Sequence, residues 1–439
     1  MKNVKFVALL SALSILAAVL AGCDDPENNN KDNSGISGGT DSTVGVNSIN
    51  SDINSNENGE NSDMYDKIDR YIDKLLEGSK PEAPLWNIES IRQGKVPAWN
   101  YIDGCMIIAL LELSEIKNEA KYADFAESFV DYYVFDDGSI RGYELEKFNL
   151  DDVNEGRVLF DLYKATGKEK YKKAIMLQHS QLEKQPRTVT GNFWHKKIYP
   201  NQVWLDGLYM GQVFSLRYQQ EFGGKDYSDI VDQFKNVRTL MFDEDKKLYY
   251  HGCDCSKTAF WADKETGRSK SFWLRSIGWF CISLIDNIGY IDDEGAKAEL
   301  TAIFREAIEG VSQYADAETG MYYQVVDQGG REGNYLETSG SSMIAYAMMK
   351  GARLGVLDKK YAELGKKTFD GICNKYLTIK DDGDLNLGGI CLVAGLGPED
   401  NRRRDGTYEY YISEPVVEND AKGVAPFVLC YTEVLRTIG

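Results

Sequence analysis

Histidine is scarce in this chain, basic charge is in deficit, and alternating strand patterns are nearly missing. Each shortage excludes something. Lys and Arg number 50 against 69 Asp and Glu, a net charge of −19. That balance argues against nucleic-acid recognition, which requires concentrated basic patches, and it repels anionic polymers except where basic residues gather locally. Three histidines leave few nitrogen ligands for a metal. Of eight cysteines, those after Cys23 are odd in number and lie mostly in apolar runs such as DGCMIIALL and WFCISLI. They read as small buried hydrophobes rather than a disulfide framework. His251-Gly252-Cys253-Asp254-Cys255 is the stretch that invites zinc, but it lacks a fourth ligand at normal spacing. No metal and no cofactor is expected.

The N-terminal residues read as a sorting signal. Lys2 and Lys5 lead into an apolar stretch, Phe6 to Leu20, too short to be a spanning helix. It ends in Leu20-Ala21-Gly22-Cys23, which resembles a bacterial lipobox and implies a signal peptide over 1–22 and acylation of Cys23. Each buried methylene of an acyl chain contributes about 0.8 kcal/mol, so two or more chains anchor stably. The expected location is the bacterial cell envelope outside the cytoplasm, with membrane contact through the lipid alone. Residues 23–62, dominated by Asn, Asp, Ser and Gly, are too poor in apolar surface to order themselves. They are expected to form a flexible tether with a reach on the order of 35 Å. No second composition shift divides residues 63–439, so one large domain is expected there, and a monomer is favoured.

Within that domain, apolar residues recur three and four apart in twelve segments. These are 63–77, 100–116, 119–134, 152–166, 168–185, 205–221, 226–242, 272–289, 294–315, 339–354, 358–375 and 423–437. Thr166-Gly167-Lys168 and Gly223-Gly224-Lys225 are short joints of the kind that link antiparallel neighbours. Met321 to Val326 is a short strand candidate. Twelve helices in hairpins predict an all-α fold, an (α/α)6 barrel of two concentric rings; an α-solenoid is the runner-up, but no fixed repeat is visible. Long aromatic loops precede 100–116, 152–166, 205–221, 272–289, 339–354 and 423–437, which are therefore assigned to the inner ring.

Those loops carry the chemistry. GNFWHKKIYPNQVWLDGLYMG crowds Trp194, His195, Tyr199, Gln202, Trp204, Asp206 and Tyr209 around Pro200. Proline excludes helix there, so a helix should start near Trp204 and put Asp206 in its first turn. Aromatic rings stack on sugar faces while Asp, His and Gln address hydroxyls. Tyr101 and Asp103 open an earlier helix. Asp151 and Asp152 open the next, and either could face Asp206 as the second acid that glycosidic chemistry requires; spacing alone does not separate them. A proton donor among these acids needs its pKa raised from about 3.9, which burial and a second carboxylate favour. His251 lies in a second aromatic loop, whereas His179, within a helix, reads as structural. Trp273, Arg275 and Trp279 combine ring stacking with a guanidinium suited to a carboxylate, and so suggest an acidic sugar.

Together, FNLDDVNEGRVLFDLYKATG, GNFWHKKIYPNQVWLDGLYM, KLYYHGCD, WADKETGRSKSFWLRSIGWF and TYEYYISEPVVENDAKGVAPF resemble glycoside hydrolase family 105, the unsaturated rhamnogalacturonyl hydrolases, and the related family 88. The resemblance runs from Trp99 to the C-terminus and implies an (α/α)6 barrel. It implies Asp206 as general acid/base and Asp151, rather than Asp152, as the second essential carboxylate. By the same matching, Tyr101, His195, His251, Trp273, Arg275 and Trp279 fall on substrate-contact positions; Cys253 and Cys255 are atypical for the motif. The implied activity is removal of a terminal 4,5-unsaturated uronyl residue from lyase-generated pectic oligosaccharides by hydration of the C4=C5 bond. Alternatives are the same chemistry on unsaturated uronides from ulvan or glycosaminoglycans, or a surface glycan-binding lipoprotein without catalysis.

Overall fold

Apolar spacing becomes helix along most of the chain. The computed structural model describes residues 49–380 and 384–438; the signal peptide and Cys23 lie outside them. The chain divides into two units at Ile68 and Asp69. Among described residues, the first unit holds only the start of helix α1 (Ile49–Glu77). That helix begins within the stretch expected as a tether, so residues 49–62 are helical, and the rest of the tether lies outside the described residues.

The second unit contains the remaining long helices. They are α2 (Tyr101–Lys117), α3 (Ala120–Tyr133), α4 (Arg157–Thr166), α5 (Glu169–Lys184), α6 (Leu205–Tyr218), α7 (Ser228–Met241), α8 (Leu274–Tyr290), α9 (Glu294–Ser312), α10 (Thr338–Arg353), α11 (Lys360–Tyr376) and α12 (Ala421–Ile438). The even-numbered helices pack in order, and α12 returns against α2 to close a ring. Odd-numbered helices lie outside, α3, α5, α7, α9 and α11 each against the inner helix before it. Residues 69–77 supply the sixth outer helix: Tyr431 on α12 and Lys117 on α2 both reach Asp69. The fold is the predicted (α/α)6 barrel.

Burial separates the rings. Every residue of α8 from Leu274 to Ile288 and of α10 from Thr338 to Gly351 is buried. On outer α5 burial falls on Tyr171, Ala174, Ile175, Gln178, Gln181 and Leu182, one stripe at helical spacing. Burying each large aliphatic side chain contributes about 1.5–3 kcal/mol. Gly167 ends α4 in the left-handed region at φ 68°, where glycine carries no Cβ penalty.

Two expectations shift locally. The helix predicted over 152–166 is interrupted: a turn over Asp151–Asn154 precedes α4. Trp99 Nε1 and Gln178 Nε2 both donate to the Asp152 carbonyl, which an unbroken helix would offer to Gly156. The Gly156 N–H bonds Val153 instead. Met321 to Val326 makes only isolated bridges, Trp273 with Val325 and Tyr323 with Leu336, because neither neighbour stays extended beside it.

Three inner helices meet at a buried ion cluster. Asp286 on α8 receives Arg157 from α4 at 2.7 Å and Lys350 from α10 at 2.7 Å, with the Tyr346 hydroxyl at 3.0 Å. Removing one partner of such a cluster strands buried charge. Asp286→Ala should therefore lower unfolding free energy by about 3–5 kcal/mol, read as an earlier urea midpoint; an unchanged midpoint would show the cations to be solvated.

Candidate active site

A short antiparallel pair builds the site. Strand Gln202–Trp204 pairs with strand Gly252–Asp254, with Trp204 opposite Gly252. The Leu205 N–H then donates to the His251 carbonyl at 3.0 Å. This register carries His251 to the first turn of α6, where its Nε2 lies 3.2 Å from Asp206 Oδ2. Gly252 permits the approach, since a Cβ there would fall 2.7 Å from the Leu396 side chain and 3.0 Å from the Trp204 ring.

His195 closes the other side. Its N–H donates to Gln202 at 2.9 Å and its carbonyl accepts from Leu150 at 3.2 Å, which joins this loop to the segment before Asp151. His195 Nε2 lies 3.4 Å from Asp151 Oδ1, and Lys196 Nζ lies 2.5 Å from Oδ2. A Cβ on Gly207 would fall 3.1 Å from His195 Nδ1, so the imidazole rests against the same helical turn that carries Asp206. Trp204 joins the two histidines. It stacks on His195 at 4.4 Å and on Tyr199 at 4.7 Å, and meets His251 edge-on at 5.4 Å.

Behind His251 stands a second aromatic wall. Its Nδ1 is 2.7 Å from the Tyr411 hydroxyl, and its ring packs on Trp273, which stacks on Tyr411 at 11°. Arg275 lies over Trp273 at 4.8 Å and donates to Ser339 and to the Cys391 carbonyl. Trp273, Trp279 and Arg275 are 1–2% exposed, so they brace the wall more than they present open ring to a ligand. Trp279 stacks on Tyr209 at 4.8 Å and meets Tyr101 at 6.3 Å. Arg157 lies over Tyr209 at 4.7 Å, linking this aromatic layer to the ion cluster.

Asp151, His195, Asp206, His251, Trp273 and Arg275 thus form one continuous set of contacts, with Tyr101 and Trp279 in an adjoining layer. Cys23 lies outside the described residues. Lys196 and Tyr411 were missed by the sequence reading, although Lys196 adjoins His195 and Tyr411 sits in the TYEYY stretch. Cys253 is buried and Cys255 half-buried; among the described residues no three His, Cys, Asp or Glu side chains gather as metal ligands would.

The electrostatics correct one expectation. Burial pushes the Asp206 carboxyl up, but the charge of His251 beside it outweighs that, and the group is held below the ordinary carboxylate range. Burial drives His195 down to about 4 despite Asp151. The acid brought near neutrality is Asp152, pushed up to about 7 by burial and then by Asp151. Lys196, Asn149 and Lys147 draw it back down. Asp206 Oδ2 and His251 Nε2 have each other, 3.2 Å apart, whereas His195 Nδ1 is buried without a hydrogen-bond partner. Buried polar atoms are rarely left so, and a hydroxyl-bearing ligand would suit it.

Because its folded pKa is depressed, Asp206 stabilises the fold above the unfolded value of about 3.9, and that contribution is lost as pH falls through the folded value. In His251→Gln the opposing charge is gone, so burial should carry the Asp206 pKa above its ordinary range. Infrared titration of the carboxyl band, assigned with Asp206→Asn, reads this; an unmoved band would mean that His251 does not hold the charge.

The glycosyl hydrolase family 88 model matches residues 71–438. A family 105 glycoside hydrolase from C. acetobutylicum has a similar structure, with 41% identity and a TM-score of 0.75 over 79% of this chain and 97% of that one. A protein of Agrobacterium fabrum is 38% identical over 231 residues, 52% of this chain and 98% of the relative. The unsaturated rhamnogalacturonyl hydrolase YesR of Bacillus subtilis is 26% identical over 298 residues, 66% of this chain and 78% of the relative. The chain is a glycosidase and belongs to glycosyl hydrolase family 88 with its family 105 relatives.

Proposed function

We propose that this glycosidase removes the terminal 4,5-unsaturated uronyl residue from lyase-generated pectic oligosaccharides, with unsaturated galacturonyl-rhamnose as the substrate. The observation that carries the reading is the buried Asp206–His251 couple, 3.2 Å apart, with Asp151 held by His195 and Lys196 close by. A barrel that only bound glycans would need the aromatic rings but not this pair of buried carboxylates. The similar family 105 structure and the similarity to the unsaturated rhamnogalacturonyl hydrolase YesR support the substrate class.

In this mechanism Asp206 protonates C4 of the enol ether and water adds at C5. The resulting hemiketal opens and releases the aglycone, so no glycosyl-enzyme intermediate forms. The low pKa of Asp206 is a property of the protein alone. A uronate entering beside it brings a second negative charge, which favours the protonated carboxyl. Donation is then timed by substrate binding. Tyr411 supplies the hydroxyl bonded to His251, Arg275 braces Trp273 behind it, and Asp151 orients the sugar.

The C4=C5 bond absorbs in the ultraviolet, so turnover is followed directly. Wild type should abolish the absorbance of unsaturated galacturonyl-rhamnose, and Asp206→Asn should be slower by about 10²–10⁴-fold, the usual worth of a positioned acid/base. Equal rates would remove Asp206 from the chemistry. Activity confined to ulvan or glycosaminoglycan disaccharides would keep the reaction and replace the substrate. The N-terminal reading belongs to the same proposal: acylated Cys23 holds the enzyme in the cell envelope. Cys23→Ala should move the protein from the membrane to the soluble fraction after cell fractionation; retention on the membrane would refute the anchor.

A further inference from the structure

Three consecutive arginines lie in the segment 392–407, which packs beside Trp204. Two are matched with carboxylates: Arg402 with Glu399 at 3.1 Å and Arg403 with Glu414 at 2.9 Å. Among the described residues Arg404 has no carboxylate within ion-pair distance, in a chain where acids outnumber bases 69 to 50. The carboxylates that feel its charge, Glu89 and Glu414, are already held by Lys422 at 3.0 Å and Arg403 at 2.9 Å, so half-buried Arg404 is left to meet an anion from elsewhere.

Its position ties it to the site. A Cβ on Gly395 would fall 3.3 Å from Arg404 Nη1 and 3.4 Å from the outer edge of the Trp204 indole, so glycine lets guanidinium and ring approach one point. Leu396, next in the chain, belongs to the buried cluster of Tyr199, Trp204 and Trp261. The Tyr199 hydroxyl is pushed up by burial, with Lys196 and then Arg404 drawing it back; two cations flank it. Lys196 is taken by Asp151, whereas Arg404 is not taken. The Trp204 indole that Arg404 approaches also meets His251 edge-on, while Arg275 lies over Trp273, which packs on the His251 ring. Arg404 is therefore placed for a charge on a sugar beyond the reacting ring.

Resting on the hydrolase reading above, we propose that Arg404 sets aglycone specificity by binding a carboxylate or sulfate on the leaving oligosaccharide. Among substrates that end in unsaturated galacturonyl-rhamnose, those whose aglycone continues into an acidic oligosaccharide are then turned over better than the bare disaccharide. Arg is suited to this because its fork pairs with two oxygens at once.

The test compares kcat/KM for an unsaturated disaccharide with a neutral aglycone and for unsaturated tetrasaccharides whose aglycone carries a uronate or a sulfate ester. Wild type should prefer one acidic form, and which one identifies the group recognised. Arg404→Gln should cut that preference by about tenfold, the loss of one charged contact. Arg404→Lys should keep part of it, and Arg402→Gln, on the same segment, should keep all of it. Added salt should weaken it in wild type. No preference in wild type, or an equal loss on all substrates in Arg404→Gln, would overturn the inference. Calorimetry with a saturated acidic oligosaccharide reads the same contact without turnover. Binding that Arg404→Gln abolishes, in an enzyme that turns over no unsaturated substrate, would sink the hydrolase reading and keep the Arg404 site. Equal binding by wild type and Arg404→Gln, with turnover intact, would sink the Arg404 site alone.

Discussion

Burial of carboxylates among aromatic rings is the constraint around which this site is built. Asp151 and Asp206 are each 9% exposed, and an isolated carboxylate at such a position would neutralise rather than stay charged. Each therefore needs a nitrogen partner, and each has one from a different loop. His251 answers Asp206, while His195 and Lys196 answer Asp151. The scarcity of histidine makes the arrangement economical: two of the three in the chain stand at the two carboxylates, and the third, His179, stacks on Tyr218 along α5 and α6.

Those partners are held by backbone rather than by side-chain chance. His251 is fixed by the Trp204–Gly252 register and the Leu205 hydrogen bond, His195 by backbone bonds to Gln202 and Leu150. A slip of one residue in that strand pair would turn His251 away from Asp206, since neighbouring strand residues face opposite sides. The barrel supplies what the strands need, namely inner helices whose first turns all face one end. The ion cluster at Asp286 locks three of those helices, and through Arg157 and Tyr209 it also backs the ring of Trp279.

Much of this was legible in the sequence, for physical reasons. Helical periodicity survives in any amphipathic segment, so the twelve helices were readable, and aromatic loops before alternate helices marked the inner ring. Asp206 in a first turn after Pro200 follows from local rules alone. Other features depend on contacts that spacing does not encode. Tyr411 reaches His251 across 160 residues. The break before α4 arises because side chains of Trp99 and Gln178 take the Asp152 carbonyl. The pKa of Asp206 was misjudged because its sign rests on one imidazole at 3.2 Å; aromatic neighbours and burial, which the sequence does suggest, push the other way.

That opposition bears on how a glycosidase of this kind can avoid wasteful proton exchange. A carboxyl raised by burial alone would be protonated whether or not substrate were present. Here burial and the histidine charge oppose each other on Asp206, and the net effect is downward. Under the proposed function, a substrate carboxylate beside Asp206 would remove the advantage of the ionised form. Tyr411, bonded to His251 Nδ1, can accept or donate as the imidazole changes state, because a hydroxyl does both. Trp204 contacts both histidines and so links the two carboxylates' partners. On the proposed hydration mechanism the charge of a uronate substrate would itself be the trigger, and a neutral sugar in the same place would leave Asp206 without it.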